Sequence, residues 1–153
     1  MIRRSISNQL IELVNQVPVI TIIGPRQSGK TTLVKSTFPE YSYVNLEDPV
    51  SRMLATEDYR GFLHTYKEPV IIDEVQRVPE LLSAIQVMVD EDRGKNGRFI
   101  LTGSHQPRLQ KGIAQSLAGR TSILTLLPLS MNELSEEGLL EKLSTDKLLL
   151  RGF

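Results

Sequence analysis

Apolar positions along the chain recur with two periods. Ile2, Ile6, Leu10, Leu13, Val14 and Val17 fall three or four residues apart, which predicts an amphipathic helix over residues 4–16 with Arg4, Asn8 and Glu12 on its polar face. Pro18 ends it. The run Val19, Ile20, Thr21, Ile22, Ile23 that follows is short and β-branched, the pattern of a buried strand. A helix is expected over residues 31–38, stopped at Pro39, and then an alternating strand over residues 41–46. Asp48 before Pro49 reads as the cap of a helix over residues 49–56, and a second short helix over residues 58–66 belongs outside the sheet. Val70, Ile71 and Ile72 make another buried strand, and residues 75–79 read as a linker. Leu81, Leu82, Ile85, Met88 and Val89 form a helical stripe up to about residue 90. A polar turn with two glycines over residues 90–97 leads to a strand at 98–104, a helix at 106–118 and a last strand at 122–127. Ser130 and Glu133 have capping-box spacing for a final helix running to about residue 137, and residues 139–150 are leucine-rich and amphipathic. Strands alternating with helices predict an α/β domain over residues 1–130. Residues 131–153 read as the start of a C-terminal helical segment, and so apolar an end leads us to expect a truncated, longer protein.

Composition removes several alternatives. Lys and Arg total 18 and Asp and Glu total 18, so bulk charge does not support nucleic-acid or membrane binding. There is no Cys, which excludes disulfides, a thiolate nucleophile and a thiolate metal site. No apolar run approaches the ~20 residues that span a bilayer. Met1 and the charged residues after it lack the apolar core of a secretion signal, so a cytoplasmic location is expected.

Two stretches carry chemistry. Gly24-Pro25-Arg26-Gln27-Ser28-Gly29-Lys30-Thr31 fits G-x-x-x-x-G-K-[ST], between a predicted strand and a predicted helix that opens with Thr31 and Thr32. A triphosphate must be wrapped by backbone N–H groups, so the loop needs glycines, and the helix N-terminus adds partial positive charge. Lys30 then supplies a point charge to the β and γ phosphates, and the Thr31 hydroxyl is placed to ligate Mg²⁺. In the second stretch, Asp73 and Glu74 follow an apolar strand at its C-terminal end, where open α/β sheets bind ligands. Asp73 is expected to hold Mg²⁺ with Thr31, and Glu74 to orient or deprotonate the water that attacks the γ-phosphate. Thr102 and Ser104 end a later strand, and either hydroxyl suits a γ-phosphate sensor, with Ser104 preferred. Arg120, just before the last strand, could reach a γ-phosphate in its own subunit or a neighbour's. The alternative for the turn at residues 47–49 is that Glu47 or Asp48 faces the nucleotide or a partner, whereas His64 has no metal or catalytic pattern around it.

The segments Gly24 to Thr32, Y-V-N-L-E-D-P, I-I-D-E-V-Q-R-V-P-E-L-L, F-I-L-T-G-S, S-L-A-G-R and L-P-L-S together resemble a bacterial and archaeal family of AAA+-like ATPases. In that family the AAA-type domain precedes a nuclease-like or winged-helix region. The resemblance implies the three-layer α/β/α fold of the additional-strand P-loop class, with a five-stranded parallel sheet in order 5-1-4-3-2. It also implies that the strand ending in Ser104 lies between the phosphate-loop strand and the Asp73 strand, and that Arg120 is an arginine sensor or finger.

The leading expectation is therefore an Mg²⁺-dependent ATPase that switches or moves a protein or DNA partner, with self-association through Arg120. The N-K-x-D and D-x-x-G patterns of GTPases are absent, which favours adenine. A nucleotide-dependent binding module with negligible turnover is the alternative. A small-molecule kinase, with Arg108, Lys111 and Arg120 on a lid, fits less well because it has no need of Glu74.

Overall fold

The computed structural model describes residues 6–128. Five strands form one parallel sheet: β1 (Val19–Gly24), β2 (Ser42–Asn45), β3 (Val70–Asp73), β4 (Phe99–Ser104) and β5 (Thr121–Thr125). Their spatial order is β2-β3-β4-β1-β5, so β4 lies between β1 and β3 as expected. The helices are α1 (Ile6–Leu13), α2 (Lys30–Thr37), α3 (Pro49–Glu57), α4 (Tyr59–Thr65), α5 (Leu81–Glu91) and α6 (Pro107–Ser116).

Strand alternation sends successive side chains into two separate cores. Val19, Ile23, Val44, Val70, Ile72, Phe99 and Leu101 pack with α4, α5 and α6 through Phe62, Leu82, Ile85 and Ile113. Ile20, Ile22, Ile71 and Ile100 face the other way, onto Leu10 of α1 and Leu33 and Val34 of α2. The sheet is thus covered on both faces, which is why its inner strands read as continuous apolar runs.

Local chemistry explains the helix starts. The Asp48 carboxylate accepts from Ser51 N at 2.8 Å, ahead of Pro49 in the first turn. The Asp58 carboxylate accepts from Gly61 N at 2.9 Å and starts α4. The stretch expected as a linker differs. Val75–Arg77 is a single 3-10 turn, because Val75 and Val78 are buried and pin it to the sheet. The expected final helix from residue 128 and the boundary at residues 130–131 lie outside the described residues.

Register decides what meets at the sheet edge. Gly24 is opposite Ser104 and Asn45 opposite Asp73, so β1, β3 and β4 deliver the phosphate-loop motif, Asp73 and Ser104 to one end. Arg120 precedes β5 at the other end, where its carbonyl accepts from Val19 N at 3.2 Å.

Candidate nucleotide site

The loop after β1 has the backbone its residues predict. Gly29 has φ 87, in the left-handed region that glycine enters without steric cost, and Gln27 shares that region at φ 62. A Cβ on Gly24 would stand 2.1 Å from the Leu126 carbonyl oxygen, so only glycine lets the loop leave the sheet here. Pro25, Arg26 and Gln27 are exposed at the mouth, whereas Ser28 is buried inside the loop. Thr32 is exposed on the first turn of α2.

Lys30 opens α2 and folds back into its own loop. Its Nζ donates to the Gly24 carbonyl at 3.1 Å and to the Pro25 carbonyl at 2.8 Å. Burial lowers its pKa from the ordinary lysine value, opposed by the charges of Glu74 and Asp73. The ammonium is thus held where a phosphate can replace two carbonyl acceptors.

Asp73 is 1% exposed at the end of β3. A buried carboxylate needs donors on both oxygens, and three hydroxyls supply them. Thr31 Oγ1 donates to Oδ2 at 2.7 Å, Tyr43 Oη donates to the same oxygen at 2.8 Å, and Thr102 Oγ1 donates to Oδ1. The Tyr43 phenol is pushed above its ordinary value by burial and then by its bond to Asp73, and Lys35 Nζ lies 4.2 Å from its ring centroid. Thr31 and Asp73, the two residues expected at Mg²⁺, are thus side by side, joined by a hydrogen bond. Among the described residues no group of three or more His, Cys, Asp or Glu could hold a metal ion.

Glu74 follows with φ 60 and ψ 44, a conformation rare for a residue with a Cβ. Its backbone N–H donates to Thr102 Oγ1 at 3.3 Å and its carboxylate accepts from Gln76 Nε2. The two candidate sensors thus separate. Thr102 is fully buried beneath the acidic pair, while Ser104 ends β4 beside the loop and meets Gln76. Glu47 is exposed and pairs with Arg77 at 3.2 Å, and His64 is exposed on α4.

Arg120 is not brought to this site. Five residue steps along β1 separate its neighbour Val19 from Gly24, roughly 16 Å of strand. Its guanidinium forms a two-toothed pair with Asp90 at 2.7 and 2.8 Å and donates to the Ala118 carbonyl at 2.8 Å. The pairing raises the pKa of Arg120 and lowers that of Asp90.

Tyr43 and Gln76 are the site residues that the sequence alone did not single out. Tyr43 has no local signal beyond an alternating strand. Gln76 stood in what read as a linker.

A family model described as an AAA domain matches residues 16–135. The uncharacterized proteins Rv2008c of Mycobacterium tuberculosis and Mb2031c of Mycobacterium bovis are each 33% identical over 159 residues. Those alignments cover 98% of this chain but only 33% of each relative, so the chain spans about a third of their length. AMPPCP-bound DnaA from Aquifex aeolicus is similar in fold, with TM-score 0.55 and 15% identity over 89% of this chain and 49% of that one. Phosphate loop, acidic strand end and sheet order agree with the family match: the chain belongs to the AAA domain family of P-loop ATPases.

Proposed function

We propose that this domain binds ATP with Mg²⁺ and hydrolyses it. The observation that supports this most is the Thr31–Asp73 pair at 2.7 Å, formed between residues 42 apart, with Glu74 next in the chain. Lys30 and the backbone N–H groups of loop residues 24–32, all but Pro25 carrying one, hold the phosphates. Thr31 and Asp73 would hold Mg²⁺, which would supply charge neutralisation on the phosphate oxygens. Glu74 accepts the proton of the attacking water or orients it, and Ser104 donates to the γ-phosphate.

Arg120 is assigned a role across an interface, since its own phosphate loop lies at the far end of β1. The ATPase cycle then switches or moves a protein or DNA partner in the cytoplasm. We assign the domain itself to residues 1–130, with residues 131–153 beginning a C-terminal helical segment.

The test is phosphate release with Mg²⁺ and ATP, measured across protein concentration. Turnover per subunit that rises with concentration is expected from a site shared between subunits. Lys30→Ala should cost most of the ATP affinity, and Glu74→Gln should bind ATP normally but not turn it over. Tight binding with no turnover at any concentration favours the binding-module reading. Unchanged ATP binding by Lys30→Ala refutes the phosphate-loop assignment.

A further inference from the structure

Gln76 makes more contacts with the proposed catalytic groups than any composition or motif argument assigns to it. Its Nε2 donates to the Glu74 carboxylate and, at 3.3 Å, to Ser104 Oγ. Its Oε1 accepts the Ser104 backbone N–H at 3.3 Å. One amide thus bridges the end of β3 to the end of β4.

The surroundings are shaped for it. Val75 and Val78 are buried on either side, which fixes the turn that presents Gln76. The left-handed backbone at Glu74 folds the chain so that side chains two residues apart can meet. A Cβ on Gly103 would stand 2.8 Å from Gln76 Oε1 and 2.5 Å from Leu109 Cδ2, so β4 carries a residue without a side chain where the amide lies.

The hydrogen-bond directions have a chemical consequence. The Ser104 N–H turns Gln76 Oε1 toward the backbone and Nε2 toward Ser104 Oγ, and a side-chain amide nitrogen can only donate. The Ser104 oxygen then accepts from Gln76, and its own hydrogen is free to donate elsewhere. The same amide occupies one oxygen of Glu74 and leaves the other to accept from water. We infer that Gln76 is a positioning residue that makes Ser104 a donor toward a terminal phosphate and aims Glu74 at the attacking water, so that the site distinguishes ATP from ADP through one side chain. The inference rests on the reading of the site as an ATPase and adds to it the discrimination of the γ-phosphate.

The experiment compares Mg·ATP and Mg·ADP affinities by calorimetry, with turnover measured in parallel, for the wild type, Gln76→Leu, Gln76→Glu and Ser104→Ala. Gln76→Leu removes both donations at similar size. Gln76→Glu keeps the shape but can only accept from Ser104, reversing the direction of that bond, and it places a second carboxylate beside Glu74. Both variants should keep the wild-type ADP affinity and should lose about fivefold in ATP affinity, the worth of one net hydrogen bond. Turnover should fall about tenfold or more with KM changed far less, and Ser104→Ala added to Gln76→Leu should cost nothing further in ATP preference. Equal losses for ATP and ADP, additive effects of the two substitutions, or a wild type that binds ATP and ADP equally would overturn the inference. The ATPase reading fails separately: a wild type with no turnover, but with a preference for ATP that disappears in Gln76→Leu, removes hydrolysis and the aiming of Glu74 and leaves the discrimination of the γ-phosphate through Gln76 and Ser104 standing.

Discussion

Thr102→Val exposes the energetics of the acidic strand end. Valine matches threonine in shape, so packing in the fully buried position is nearly conserved and the hydroxyl alone is lost. That hydroxyl donates to Asp73 Oδ1 and accepts from Glu74 N at 3.3 Å. Losing a donor to a buried charge costs about 1.5–3 kcal/mol, and the longer bond from Glu74 adds less than about 1 kcal/mol. Destabilisation of about 2–4 kcal/mol is expected, a large share of the ~5–15 kcal/mol that holds a domain together. In a thermal melt of the nucleotide-free protein this should appear as a fall of roughly 10 °C. Thr102→Ser keeps the hydroxyl and loses one methyl, so it should cost only about 1 kcal/mol. Thr102→Val should also weaken the Mg²⁺-dependent part of ATP affinity, because Asp73 would no longer be held on that side. A valine variant as stable as the serine variant would refute the argument that Thr102 supports the Asp73 charge.

Further outcomes follow from other contacts. Gly24→Ala forces a Cβ to 2.1 Å from the Leu126 carbonyl, backbone against backbone, and should cost about 3 kcal/mol in urea unfolding along with most nucleotide affinity. The Asp48 carboxyl is held below its ordinary 3.8 mainly by the Ser51 backbone amide. Its folded pKa is depressed, so its stabilisation is complete above about pH 4 and is lost as pH falls through the lower folded value. Asp48→Asn keeps a good cap without the charge, so urea midpoints of variant and wild type should differ at pH 7 and converge as pH falls below the folded pKa of Asp48. Arg120→Ala should leave ATP affinity of the dilute protein unchanged and abolish any rise of turnover with concentration; lost affinity at high dilution would place Arg120 at its own site.

How much was legible in advance depended on the distance over which information acts. The phosphate loop was legible because strand, glycines, lysine and hydroxyl are consecutive and their chemistry is local. The Asp48 cap was legible because its partner Ser51 is three residues away. Both cores were foreshadowed by period, since buried strands and amphipathic helices write their faces into the order of residues. Val75–Arg77 was misread as a linker because a 3-10 turn is too short to show a period, and burial of Val75 and Val78 is a property of what lies above them.

By itself, then, the sequence determined the elements, their alternation and the chemical types at the ends of β1, β3 and β4. Resemblance to a family supplied the strand order that periodicity cannot contain. Only the tertiary structure decided which hydroxyls reach Asp73. Tyr43 and Thr102 lie 30 and 29 residues from it and meet it because β2 and β4 flank β3. Only the tertiary structure joined Gln76 to Ser104, 28 residues on, and set Arg120 on Asp90 at the opposite end of the sheet. The physical reason is common to all of these. Local propensity fixes a strand's conformation and faces, but the register between strands fixes which side chains share an edge, and register depends on the packing of the whole sheet.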